Sequence, residues 1–173
     1  MATSTAHRVA TPAPVAGSGH MLLKGWQFVL KTNNSSNWLL LRIALGVVML
    51  GHGLQKSLGW FGGFGWDASV QYFTGYVGVP YPLAAFIILI ESVGAVLLII
   101  GFASRINAAL MAFVIIGAFF VDHLPNGFFM NWFGNHKGEG YEFDILFIAI
   151  AVTLVINGGG KLSVDKWIVG RKR

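Results

Sequence analysis

Residues 38–56, WLLLRIALGVVMLGHGLQK, decide how the rest of the chain is interpreted. The segment begins with an apolar run that lipid would accept, and it then places His52 and Lys56 four residues apart, on one face of a helix. Ionisable groups inside a membrane cost roughly 2.5–3.5 kcal/mol each, so they normally face a bundle interior and have partners. The segment therefore predicts a membrane helix whose polar end meets other helices.

The composition is that of an integral membrane protein. Of the 173 residues, 55% are hydrophobic and only 11% are charged, whereas soluble domains carry about 25% charged residues. The absence of cysteine excludes thiol catalysis, disulfides, iron–sulfur clusters and Cys-based zinc sites. The net charge of +5 comes from basic residues near one set of helix ends, so it indicates membrane topology and no nucleic-acid partner.

Four apolar stretches predict the fold, an all-α integral membrane four-helix bundle over residues 38–157. The predicted spans are 38–56, 80–102, 104–123 and 141–157. Outside them we expect a flexible tail over 1–20, an interfacial segment over 21–37 that includes an amphipathic helix, and a basic tail over 158–173. The loops after the first and third spans are rich in glycine and aromatic residues, which favour the membrane–water boundary.

The basic residues also predict an orientation. If the spans alternate, ten of the twelve Lys and Arg residues lie on the side of both termini. Positively charged segments stay in the cytoplasm, so we expect a cell-membrane protein with both termini cytoplasmic.

Polar side chains from three spans fall in one layer towards the outer leaflet. They are His52, Lys56, His123 and Glu142. Glu91 lies below this layer, near the midplane, and Arg42 is only about 8 Å from Glu91 along the helix axes. We therefore predict a structural Arg42–Glu91 ion pair and a ligand site formed by the layer together with Glu91.

The chemistry of this layer has several interpretations. The simplest is that its members are boundary charges and packing histidines. Haem or zinc is disfavoured because the histidines have no matching partner near the midplane and no HExxH-like spacing occurs, so we predict no metal site. A quinone ring needs hydrogen-bond donors, a titratable group, aromatic walls and an opening to lipid, all of which this region offers. No residue is assigned a catalytic role, and redox turnover would need a partner subunit with its own cofactor.

Four segments together resemble the DoxX family of small four-span membrane proteins. They are RIALGVVMLGHGLQKSLGWFGG, ESVGAVLLIIGFASR, DHLPNGFF and GYEFDILFIAI, within roughly residues 38–165. The family is named for its resemblance to the membrane subunit of a thiosulfate:quinone oxidoreductase, and the resemblance implies a four-helix bundle tied to redox complexes. The residues that match its motifs are His52, Gln55 and Lys56 (HGxQK), Glu91, His123, Tyr141 and Glu142 (GYEF).

Two functions from different classes follow. The leading hypothesis is a membrane subunit associated with a quinone-linked redox complex, binding a quinone or small substrate at the polar layer. The alternative is a non-catalytic scaffold or accessory subunit of a larger membrane assembly. A transporter is disfavoured, because four helices show no clear repeat or broken-helix pair.

Overall fold

The computed structural model describes residues 25–170, and every regular element in that range is helical. In chain order the helices are α1 (Asn37–Leu58), α2 (Gly65–Gln71), α3 (Tyr81–Ile100), α4 (Ser104–Asn126), α5 (Glu142–Asn157) and α6 (Val164–Gly170). Residues 25–29 add a helical turn before α1. The predicted flexible tail over 1–20 lies outside the described residues, as do the first four residues of the predicted interfacial segment.

Four helices form the bundle where four spans were predicted. Three of them, α1, α3 and α4, are long and apolar enough to cross a membrane. The fourth, α5, has 16 residues, or about 24 Å of helix, which is short of the roughly 30 Å hydrocarbon core. The protein is thus a helical membrane bundle, and the crossing by α5 stays a prediction.

Glycine and proline residues determine several of the helix ends. Gly59 and Gly101 adopt positive φ values of 73° and 75° and end α1 and α3, the conformation that glycine favours after a helix. Pro80 precedes α3, where its missing N–H costs no helical hydrogen bond. We call the end of the bundle at which α1 finishes the Lys56 end, and the opposite end the Arg42 end.

The apolar core runs along the centre of the bundle and uses all four long helices. Its buried members are Leu45, Met49, Ile90, Ala95, Leu98, Ala108, Met111, Val114, Ile115, Ala151 and Leu154. Large apolar side chains on the outside, such as Leu40 and Leu146, are more than half exposed. In a bilayer these side chains face lipid.

Two glycines on α1 determine how closely it approaches α3. A side chain at Gly46 would meet Ile99 and the Ala95 carbonyl, and one at Gly53 would overlap the backbone of Glu91. Small residues at such positions let membrane helices pack backbone to backbone. The close contact at Gly53 therefore determines the position along α1 at which Glu91 of α3 lies.

Three helical turns have π-type geometry, in which the backbone hydrogen bonds skip one extra residue. They are Tyr72–Tyr76 after α2, Ile90–Gly94 within α3 and Phe119–His123 within α4. Such turns shift the angular position of every residue that follows, and they occur frequently at functional sites.

The predicted Arg42–Glu91 ion pair is wrong. Arg42 is 2% exposed and donates hydrogen bonds from Nη1 to the Gly159 carbonyl (2.6 Å) and from Nη2 to the Leu162 carbonyl (2.7 Å). Because Gly53 packs on Glu91, that carboxylate stands eleven residues above Arg42 along α1, about 16 Å away. The prediction failed because the two helices are offset along their axes.

The segment 158–170, predicted as part of a basic tail, is folded against the Arg42 end. Besides the two Arg42 contacts, the buried Asp165 of α6 accepts hydrogen bonds from the backbone N–H groups of Ala103 (2.7 Å) and Ser104 (2.9 Å). Asp165 thereby caps α4 from a distant part of the chain. The connection before α1 joins the same cluster, since Thr32 Oγ1 accepts a hydrogen bond from the Gly160 N–H.

Candidate functional site

A cavity of about 610 Å³ lies at the Lys56 end of the bundle. Its walls come from α1, α3, α4, α5 and the two connections at that end. The apolar part of the wall includes Met49, Ile87, Phe113, Phe143 and Phe147. The titratable side chains on the wall are His52, Lys56, Tyr72, Glu91, Asp122, His123, Glu139 and Asp144.

Lys56 and Glu91 form an ion pair across α1 and α3. The Lys56 Nζ lies 2.7 Å from the Glu91 Oε2, and the Glu91 side chain is only 7% exposed whereas that of Lys56 is 28% exposed. Glu91 is thus the more buried partner of the pair, and Lys56 is the partner more accessible from the cavity. Glu91 belongs to the same layer as Lys56, not below it as predicted.

His123 and Asp144 repeat this arrangement between α4 and α5. The His123 Nδ1 lies 2.7 Å from the Asp144 Oδ2, and the two side chains are 29% and 7% exposed. An ionised Asp144 only accepts hydrogen bonds, so it selects the ring form with a proton on Nδ1. The second ring nitrogen, Nε2, then remains available to a ligand.

Tyr72 makes a third polar contact, which joins the connection that follows α2 to helix α4. Its hydroxyl donates a 2.6 Å hydrogen bond to the Asp122 Oδ1. Burial, together with this hydrogen bond, raises the pKa of Tyr72 well above its ordinary value. The hydroxyl therefore stays protonated and donating throughout the physiological range.

The three π-type turns carry much of this polar wall. Tyr72 lies in the first turn, Glu91 in the second, and Asp122 and His123 in the third. Each turn adds a residue to its helix and so changes which side chain faces the cavity. The departures from α-helical geometry therefore coincide with the groups that line the site.

His52 differs from the paired groups because its ring makes no hydrogen bond or ion pair with any residue in 25–170. The residue is more than a third exposed and lines the main cavity as well as a shallow recess beside Gly51 and Gln55. The His52 ring thus lies at the cavity wall, about one helical turn before Lys56.

Glu142 is not a cavity residue. Its Oε1 accepts hydrogen bonds from the Met130 N–H (3.2 Å) and the Trp132 Nε1 (3.3 Å), so it organises the connection between α4 and α5. Asp144, two residues further along α5, occupies the position in the cavity wall that was predicted for Glu142. Two residues correspond to about 200° around a helix, so the two carboxylates point to nearly opposite sides. Of the five predicted ligand residues, the structure brings together His52, Lys56, Glu91 and His123.

The sequence contained a signal for Asp144 that the prediction overlooked. At spacings of three, seven and ten residues, Asp144 is followed by Phe147, Ala151 and Leu154, all of which belong to the core or pack against it. Tyr72 and Asp122 gave no such signal, because their contact joins positions 50 residues apart. Within residues 25–170, no three His, Asp or Glu side chains cluster as a metal ion would require.

The fold and this cavity define a class, a small helical membrane protein with a mainly apolar cavity and two acid–base pairs in its wall. A sequence profile of the DoxX family matches residues 37–124. A protein of Bacillus subtilis (strain 168) named "Putative oxidoreductase CatD" is 33% identical over 135 residues, which cover 78% of this chain and 89% of the relative. The chain belongs to the DoxX family. No solved structure matches it significantly.

Proposed function

We propose that this protein is a membrane subunit of a redox complex and that its cavity binds a quinone ring. The observation that carries the proposal is the pair of buried carboxylates, Glu91 and Asp144, each of which holds a more exposed base at the cavity wall. Lys56, and His123 when its ring is protonated, are thus presented as hydrogen-bond donors from different helices. A quinone has two carbonyl oxygens that accept such bonds.

The size and lining of the cavity support a ligand of this kind. Small-molecule sites usually enclose about 300–1,000 Å³, and they combine apolar walls with a few polar groups in fixed positions. The cavity of about 610 Å³ falls in this range. Its phenylalanine side chains offer flat apolar surface to a ring.

The residue types indicate which part of the reaction this chain would contribute and which part a partner protein would contribute. Reduction of a quinone to a quinol takes up two electrons and two protons. This chain has no cysteine for an iron–sulfur cluster, so the electrons would come from a cofactor on a partner protein. The protonated His123 ring, through Nε2, and the Lys56 ammonium group are suited to supply protons to the carbonyl oxygens. The oxidoreductase name of the relative supports the redox assignment.

A thermal protection experiment tests the cavity. Decylubiquinone should raise the melting temperature of the purified protein, because a ligand at 100 times its Kd stabilises the folded state by about 2.7 kcal/mol. His52→Ala should weaken this protection, because His52 lines the cavity together with Lys56. It should leave the melting temperature of the ligand-free protein unchanged, since the ring makes no hydrogen bond or ion pair within residues 25–170.

His136→Ala is the matched control. His136 lies on the connection between α4 and α5, and within residues 25–170 it forms hydrogen bonds through its backbone groups alone. This variant should keep full protection. Equal protection of His52→Ala and the unaltered protein, or no protection of either, would contradict the proposal.

A scaffold function has one observation in its favour. Phe64 and Phe133, in the two connections at the Lys56 end, are 86% and 88% exposed. Such side chains would contact either the membrane boundary or a partner protein. Co-purification in gentle detergent with a large partner at constant stoichiometry, unaffected by His52→Ala, would favour this second function.

We also propose that the Arg42 end is cytoplasmic. Lys31, Arg42, Arg105, Lys161 and Lys166 lie at this end, whereas Lys56 and Lys137 are the basic residues of the opposite end within 25–170. The positive-inside tendency of membrane proteins supports this orientation.

A further inference from the structure

The two halves of α3 pack differently against the rest of the bundle. After the π-type turn Ile90–Gly94, the half that leads to the Arg42 end packs against both α1 and α4. The other half, Tyr81–Leu89, packs against α1 and α2 but makes at most sparse contact with α4. A cleft therefore opens between α3 and α4 at the Lys56 end.

The cleft leads into the cavity and its walls are apolar. Leu83 and Ile87 line it on α3, and Phe113, Gly117 and Val121 line it on α4. Phe113 is 55% exposed, and a side chain added at Gly117 would meet no atom within 4 Å. In a bilayer these positions border the acyl chains, so the cleft is a passage between lipid and cavity.

The end of the cavity is covered by the chain's own connections. Phe73, Val77 and Val79 close it on one side, and Met130 and Gly140 close it on the other. The Tyr72–Asp122 hydrogen bond fastens the first of these connections to α4. A ligand that arrives from water meets this cover, whereas one dissolved in the membrane meets the open cleft.

We propose that the ligand enters laterally from the bilayer between α3 and α4 and that it is an amphiphile with a long apolar chain. Its polar ring lies at the Lys56–Glu91 and His123–Asp144 pairs, and its chain occupies the cleft past Ile87 and Gly117. This inference rests on the proposed function, because it assigns the remainder of the ligand whose ring the cavity holds. The polar pairs select the ring and the cleft selects the chain.

The test compares two probes with the same ring in lipid nanodiscs. Decylubiquinone carries an alkyl chain, and 2,3-dimethoxy-5-methyl-1,4-benzoquinone lacks it. A Cβ atom at Gly117 has room, so the longer side chain of Gly117→Leu should extend into the cleft. We expect it to raise the half-protecting concentration of decylubiquinone roughly tenfold and to leave that of the short probe unchanged. Because each probe is compared with itself across variants, its partitioning into lipid cancels.

Ala109→Leu is the matched control. Ala109 lies on the exposed side of α4 and does not line the cavity, so this variant should bind both probes normally. If Gly117→Leu leaves the decylubiquinone curve unchanged, or weakens both probes equally, the chain does not lie in the cleft and the inference is overturned. Protection of the unaltered protein by both probes would then still support the proposed function, whereas protection by neither would overturn both.

Discussion

Gly53 holds the Lys56–Glu91 pair in place by allowing α1 to touch α3. Gly53→Ala should lower stability by about 1–3 kcal/mol, the usual cost of overpacking, because the new methyl group would overlap the Glu91 carbonyl. The melting temperature in detergent, followed by circular dichroism, measures this effect.

Gly51, on the same helix, provides the comparison for that experiment. A side chain there meets nothing within 4 Å, so Gly51→Ala should be neutral or should gain up to about 1 kcal/mol from helix propensity. Similar melting temperatures for the two variants would show that α1 and α3 are not in backbone contact.

Tyr72 should titrate at a higher pH than an ordinary tyrosine. Its raised pKa means that the protonated hydroxyl is favoured in the folded protein, so its contribution to stability is complete below the unfolded value of about 10 and is lost only as the pH rises through the higher folded value. Ultraviolet titration of phenolate should show one late step that disappears in Tyr72→Phe.

The neighbouring Tyr76→Phe variant should retain the late step. Tyr76 stacks on Tyr72 and is 75% exposed, but its hydroxyl makes no hydrogen bond within the described residues. If the late step were instead lost in Tyr76→Phe, the assignment of the raised pKa to Tyr72 would be wrong.

At the scale of elements, α4 depends on a cap from α6. Asp165→Ala should cost about 0.5–2 kcal/mol, as the loss of a helix N-cap usually does, because two backbone N–H groups at the start of α4 lose their acceptor. The segment 158–170 should then be cut faster by trypsin after the exposed Lys161. Electrophoresis of timed digests measures the rate.

The corresponding control is Asp67→Ala, in the first turn of α2. Asp67 is exposed and has no hydrogen-bond or ion-pair partner among residues 25–170. Its removal should leave the digestion rate unchanged. Equal rates for Asp165→Ala and the unaltered protein would mean that other contacts hold the segment.

The positions of the helices along the chain were predicted well from the sequence. Which side chains of each helix face the cavity was predicted less well. Apolar length and Gly or Pro punctuation place four helices close to their observed ends. The π-type turns have no comparable local signal, since nothing in the sequence IESVG of Ile90–Gly94 distinguishes a π-type turn from a continued α-helix. The error at Glu142 came from choosing the first carboxylate of α5 rather than the one that shares a face with core residues.

For the whole molecule, the cysteine-free sequence allows a direct test of topology. Asn135→Cys lies at the Lys56 end and Asn34→Cys at the Arg42 end, and both positions are exposed. A membrane-impermeant maleimide should label Asn135→Cys in intact cells, but Asn34→Cys only after permeabilisation. The reverse pattern would invert the proposed orientation, and labelling of both in intact cells would show that both ends are accessible from outside.

The overall class was predictable because it depends on quantities summed over many residues, such as hydropathy and the distribution of Lys and Arg. The composition of the cavity wall depends on axial offsets between helices, which single-helix patterns do not contain. His52, Lys56, Glu91 and His123 were identified because a charged or titratable group inside an apolar span is conspicuous in itself. Arg42 was equally conspicuous, but its partners are backbone carbonyls that leave no mark in the sequence.

The cap that Asp165 places on α4 has a consequence for biosynthesis. The start of α4 leaves the ribosome about sixty residues before the carboxylate that completes it. Until that carboxylate has been synthesised, the two backbone N–H groups at the start of α4 lack this acceptor. The Arg42 end of the bundle is therefore completed only after all four long helices have been made, which makes its assembly a late step of folding.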